Sequence, residues 1–287
     1  MSAIFKKEMR AYFTSMTGYI FLGFFIMITA IFYTLYCVMS LSGEYTAVLS
    51  SGILIFLLLV PTITMRLVAE ETRQKTDQLL YTSPVTVRDI VLGKYFAAIV
   101  LLFIGLLITA LFPYMLSKYG EVPAAEIFGA FIAFYLIGIC FIAVGLFISS
   151  LTENQIISAV ATFGVLLAMY LMDGIVQSLP TSRIASVIFA VILVLLLAFF
   201  IYSNMKNLYA AIGILIVGTA LVVILYAVMP TIFDGLLVNV FSWFSIMKRF
   251  NNFYYGIFDI ASVVYYLSFA GVFVYLTIQV IEKRRWS

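Results

Sequence analysis

The sequence predicts an all-α, polytopic integral membrane protein of about eight transmembrane helices with both termini on the cytoplasmic side. Three observations predict it. Hydrophobic residues make up 65% and charged residues only 10% of the 287 positions, against roughly 45–50% and 25% in soluble domains. Apolar runs recur along the chain, each long enough to cross about 30 Å of hydrocarbon at about 1.5 Å per helical residue. Lysine and arginine are concentrated in alternate connecting segments, which fixes an orientation.

In order, the apolar runs cover residues 18–39, 47–68, 90–116, 127–149, 155–179, 184–202, 208–229 and 262–281. Residues 1–287 read as a single membrane domain. The sixth and seventh runs are separated only by Ser203, Asn204, Met205, Lys206 and Asn207, so they are expected to form an antiparallel pair. With eight crossings both ends share one side. Placing them inside leaves Lys118, Arg183, Lys248 and Arg249 outside. The other twelve of the 16 basic residues then lie inside: Lys6, Lys7, Arg10, Arg66, Arg73, Lys75, Arg88, Lys94, Lys206, Lys283, Arg284 and Arg285. The excess of inner positive charge selects N-in and C-in.

Two amphipathic segments flank the runs. In residues 1–17, Phe5, Met9, Tyr12, Phe13 and Met16 form one helical stripe and Lys6, Lys7 and Arg10 another, the pattern of a helix lying in the membrane interface. No apolar core with a small-residue cleavage site precedes the first run, so this is not a secretory signal. In the outer segment 230–260, Trp243, Met247, Phe250, Tyr254 and Ile257 share a face from which Lys248, Arg249, Asn251 and Asn252 turn away. Trp243 and Trp286 are placed as aromatic anchors at opposite interfaces.

An unusual share of the ionic residues lies in residues 61–94, where Arg66, Glu70, Glu71, Arg73, Lys75, Asp77, Arg88 and Asp89 stand between two apolar blocks. Lipid cannot solvate these groups together, so the segment is expected at or beyond the cytoplasmic surface. Glu71 with Lys75 and Arg73 with Asp77 are opposite charges at i, i+4 spacing and favour a helix. Ser83-Pro84 breaks it. Thr86 is placed to cap the next helix, with Asp89 in its first turn. A second cytoplasmic link, 150–155, offers Thr152 as a cap with Gln155 at capping-box spacing.

Other chemistry is poorly supplied. Histidine is absent, which removes the commonest general base and metal ligand. Cys37 and Cys140 both lie in apolar runs and suggest neither a disulfide framework nor a zinc site. Gly93-Lys94 lacks the upstream glycine of a nucleotide-binding loop and is followed by Tyr95 rather than serine or threonine. Ser245 and Lys248 match S-x-x-K without its companion motifs. Asp173 and Asp259, near outer boundaries, read as helix ends that reach water rather than as ion-coupling carboxylates. Pro61 and Pro113 are expected to kink or end their helices. A net charge of +3 gives no ground for a nucleic-acid partner.

The run Thr64-Met65-Arg66, Ala69-Glu70-Glu71, Thr76, Leu79-Leu80, Thr82, Ser83-Pro84 and Gly93-Lys94 resembles the first cytoplasmic loop of type-2 permeases of ATP-binding-cassette (ABC) transporters. Lys75 stands where that pattern has glycine, and Gln78 where it has glutamate. The resemblance implies a non-catalytic transmembrane subunit, paired in the family's manner with a second permease, identical or different, in the cell inner membrane.

The same resemblance implies that residues 66–94 carry a coupling helix docking on a separate ATPase subunit, which holds the ATP and magnesium; no cofactor is expected in this chain. Contact would fall on Glu70, Glu71, Arg73, Thr76, Leu79, Leu80, Ser83 and Pro84, with Thr152 and Glu153 as a smaller second contact. Export is the implied direction, and membrane lipid the surrounding partner. Residues 245–267 and Glu282 to Trp286 resemble the C-terminal part of permeases related to the gliding-motility ABC transporter. The commoner plan has six spans, so the pair 184–229 reads as an insertion. An ion-coupled carrier or channel, and a structural component of a cell-envelope machine, stand as the alternatives.

Overall fold

The structure, a computed structural model, describes residues 1–76, 85–206 and 208–286. Among these, every regular element is helical, and seven helices are long and apolar enough to cross a membrane. The chain forms two compact units, Met1–Ala168 with Arg249–Ser287, and Met169–Lys248.

The first unit begins with α1 (Ser2–Thr14), which turns at the extended residue Ser15 into α2 (Met16–Tyr33). A wider helical turn, Thr34–Val38, completes that span. Next come α3 (Tyr45–Leu67) and the short α4 (Ala69–Arg73). The following helices are α5 (Val87–Thr109), α6 (Leu111–Leu116) and α7 (Ala124–Leu151). The unit then takes in the start of α8 (Gln155–Ser178), and α13 (Ile260–Trp286) is its last helix.

α7 is the centre of this unit, packed against α3, α5 and α13. Small residues bring the backbones close: a methyl group added at Gly145 would overlap Thr64, and one at Gly138 would overlap Leu102. Without water inside the bilayer, such van der Waals contact is a main source of helix association. Phe25, Phe56, Phe134 and Phe141 fill the middle, with the Phe56 and Phe134 rings 4.5 Å apart.

Contacts give the helix directions. Gly52 faces Phe134 and Thr64 faces Gly145, so α3 and α7 run parallel. Cys140 Sγ donates to the Tyr266 carbonyl at 3.0 Å, and Phe147 meets Phe273 at 5.6 Å, so α13 also runs parallel to α7. Two parallel spans in one membrane require an odd number of crossings between them. The helices in between are α8, α9 (Arg183–Met205) and α10 (Leu208–Val228). The described apolar part of α10, Ile212–Val228, falls short of the length of the other spans.

In the second unit α9 and α10 form the expected hairpin, closed at Lys206, whose φ is +48°. Gly218 lies against Val194, at nearly equal distance from the turn. Arg183 binds Asp234 through two nitrogens, the second at 2.8 Å. The single amphipathic face expected over 230–260 is instead broken into a tight turn, Pro230–Phe233, then α11 (Leu236–Phe244) and α12 (Ile246–Tyr254). Gly235, with φ of +71°, separates the first two. Ser245 interrupts the face: its Oγ accepts from Lys248 N and donates to Asp173. Within α12, Ile246, Phe250 and Phe253 are buried, while Trp243 and Ile257 are exposed. Arg249, expected to turn away, lies 3.5 Å over the Tyr265 ring. Asp259 accepts from Ala261 N and Ser262 Oγ at the start of α13, as expected of a helix end.

Pro61 does not end its helix. It lies buried inside α3, which continues to Leu67. Pro113 belongs to α6, just beyond the break at Ala110.

Candidate functional site at the polar end of the first unit

At one end of the first unit α1, α4, the start of α5 and the end of α7 meet. The chain bends at Val68, whose φ and ψ of −122° and −46° separate α3 from α4. The first amides of a helix lack partners within it, and here a neighbouring helix supplies one. Ser149 Oγ, from the last turn of α7, accepts from Val68 N at 3.3 Å and Ala69 N at 3.1 Å. The same hydroxyl donates to the Met65 carbonyl at 3.4 Å. One buried side chain therefore fixes the corner from which α4 projects.

Charge fixes the other side of α4. Glu71 Oε1 lies 2.6 Å from Lys7 Nζ, and Glu71 Oε2 lies 2.9 Å from Lys94 Nζ. Lys94 also reaches Glu8 Oε1 at 2.9 Å. Two cations and two anions from α1, α4 and α5 thus form one neutral cluster. Only 2% of the Lys94 side chain is exposed, so its charge depends on those two carboxylates. Partial burial alone would lower the Lys7 pKa, but the hydrogen bond and charge of Glu71, with Glu8 behind it, outweigh this and hold it above the ordinary lysine value.

Gly93 explains how α1 comes near enough. A methyl group there would lie 3.0 Å from the Cβ and Cγ2 of Ile4. Thr86 Oγ1 accepts from Asp89 N at 3.2 Å and donates to Asp89 Oδ2 at 2.9 Å, the cap expected for α5.

Several site residues differ from their expected partners. Residues 61–94 are not uniformly a surface segment: Pro61, Ile63, Thr64 and Leu67 are buried in α3, and Lys94 is enclosed. Glu71 pairs with Lys7 and Lys94, not Lys75, because α4 stops at Arg73 and Lys75 turns away with φ of +57°. That conformation is easy for glycine, the residue the resembling pattern has here, and unfavourable for lysine. Glu70 accepts from Gln74 Nε2 at 3.3 Å, Thr76 Oγ1 donates to the Glu71 carbonyl at 3.4 Å, and Arg73 is exposed. Leu79, Leu80, Ser83 and Pro84 lie outside the described residues, as does Asp77.

In the second link the cap of α8 is Asn154, not Thr152. Asn154 Oδ1 accepts from Ile156 N and Ile157 N at 2.9 and 3.4 Å, while Thr152 Oγ1 accepts from Asn154 N. Glu153 is exposed. Sequence reasoning passed over Glu8, Ser149 and Asn154. Glu8 had a signal: it stands four residues after Ile4 and four before Tyr12, on the stripe that turns inward.

Residues 42–186, just over half of the chain, match the family model described as "ABC-2 family transporter protein". The matched span contains α3, α4, α5, α7, Glu71, Lys94 and Ser149. The match does not single out the gliding-motility group. No curated protein matches the chain. Seven span-length apolar helices among the described residues, a buried polar corner at one end of the first unit, and a family match over helices that build that corner lead to one assignment: the chain belongs to the ABC-2 family of transporter proteins and is a multi-pass membrane permease component.

Proposed function

We propose that this permease works as the transmembrane half of an ATP-driven exporter, moved by a separate ATPase subunit that grips the polar end of the first unit. The observation that carries the reading is the seating of α4. Ser149, Lys7 and Lys94 hold it from within, while Arg73, Gln74 and Lys75 are exposed. A short helix fixed on its inner side can pass a push to α1, α5 and α7 as one body. The docking face would use Glu70, Arg73 and Thr76, with Leu79, Leu80, Ser83 and Pro84 beyond them and Thr152 and Glu153 beside them. Glu71 acts in this reading from inside, as the link from α4 to α1 and α5.

ATP and magnesium would reside in that ATPase subunit. Gly93 and Lys94, the pair nearest to a nucleotide-binding signature, are occupied with Ile4, Glu8 and Glu71. The assembly would pair this chain with a second permease in the cytoplasmic membrane, termini inside. The arrangement supports that orientation, since α1, α4 and the end of α7 meet at one end, and α13 runs parallel to α7, carrying Lys283, Arg284 and Arg285 in its last turn.

The test is reconstitution. With its ATPase in liposomes, the complex should move substrate only with ATP, and Leu79→Asp with Leu80→Asp should leave ATP hydrolysis but abolish transport. Solute movement by the isolated chain without nucleotide would instead establish an ion-coupled carrier or channel. A chain that moves nothing and recruits no ATPase would establish a structural component.

A further inference from the structure

α1 has three faces rather than two. Ile4, Glu8 and Tyr12, four residues apart, turn into the bundle, where Ile4 and Tyr12 are 6% and 7% exposed. Phe5, Met9 and Phe13 form the next stripe and are half-buried. Beyond them lies a third stripe with Lys6 and Arg10, both exposed and without a side-chain hydrogen bond or ion pair among the described residues. Lys7 is on the far side of that stripe and remains 54% exposed although it binds Glu71.

The one carboxylate of α1, Glu8, is turned inward and bound to Lys94. The exposed side is therefore purely cationic. It adjoins the apolar stripe, which continues beyond the Ser15 turn into the exposed Met16, Tyr19 and Ile20. A helix that presents apolar side chains next to uncompensated cations is matched by a lipid leaflet, with acyl chains against the first and phosphate groups against the second. A soluble acidic partner would leave the apolar stripe unmatched.

We propose that the Lys6 and Arg10 face of α1 binds the headgroups of anionic phospholipids, with Lys7 shared between the headgroup and Glu71. This goes beyond the transport reading and needs only that the chain spans a membrane. Because Lys7 also holds α4, headgroup charge would bear on the coupling corner.

Native mass spectrometry of the purified full chain with added phosphatidylglycerol or phosphatidylcholine of the same acyl chains tests this without an ATPase. Phosphatidylglycerol should be retained in preference, and removal of each cation should weaken its retention about five-fold, so that Lys6→Gln with Arg10→Gln nearly equalises the two lipids. Both positions are exposed and the fold should survive, which size-exclusion elution would check. Equal retention of the two lipids by the unmodified chain would overturn the proposal. So would undiminished phosphatidylglycerol retention in the double variant, or a loss seen only when Lys283, Arg284 and Arg285 are changed to glutamine.

Discussion

Lys94 Nζ lies 2.9 Å from Glu71 Oε2, joining α5 to α4. Removing one partner of an enclosed ion pair is far costlier than removing both, because the survivor stays desolvated. Lys94→Met should therefore destabilise the first unit by about 3 kcal/mol, read as a lower melting temperature in detergent. Adding Glu71→Gln removes the stranded carboxylate and should recover part of that loss, since Lys7 and Glu8 still face each other at 3.6 Å. Equal melting temperatures for the single variant and the unmodified chain would remove the cluster from the account.

Ser149→Ala tests the corner at Val68. It leaves the amides of Val68 and Ala69 without their acceptor in a buried place, at a cost of about 2 kcal/mol. Hydrogen exchange of the α4 amides should speed up while that of the α7 core stays slow. An unchanged exchange pattern would show that the corner is held by other contacts.

Lys75 stands at a φ of +57°, where an L side chain crowds its own backbone. Lys75→Gly removes that strain and should stabilise the segment by up to about 1 kcal/mol, less the extra freedom glycine gains when unfolded. Lys75→Val should do the reverse. Limited proteolysis near residue 75 would separate the two, with slower cleavage expected for glycine.

The parts of the fold that were legible in the sequence are those written in the long apolar runs. Each expected span has a helix within a few residues of its limits, and the pair 184–229 forms its hairpin. Local capping was legible at Thr86, where one side chain and one amide three residues on decide the outcome. What the sequence hid were contacts between distant segments. Lys75 has helical spacing from Glu71, but α4 stops at Arg73 and Lys75 turns away, while packing of α5 beside α4 brings Lys94 to Glu71 instead. The single apolar face drawn through 230–260 failed for a related reason. An unbroken helical period was assumed there, but Gly235 and Ser245 interrupt the chain and re-aim Arg249 onto Tyr265.

Asp259 carries a pH prediction. Hydrogen bonds from Ser262, the Ala261 amide and Asn252 to its carboxylate hold its pKa below the ordinary 3.8. A depressed folded pKa means that its stabilising effect is present above 3.8 and is lost as pH falls through the lower folded value. The difference in melting temperature between the unmodified chain and Asp259→Ala should be clear at pH 7 and shrink at acid pH below 3.8. A difference that is constant with pH would show that the charge takes no part.

The most direct test of the central claim is cross-linking from Gln74, an exposed position beside α4. A cysteine there, carrying a photoactivated cross-linker, should capture a subunit that hydrolyses ATP, and the yield should change when nucleotide is added. Absence of any ATP-hydrolysing adduct, with the same cysteine reacting with a membrane-impermeant maleimide outside intact cells, would contradict it.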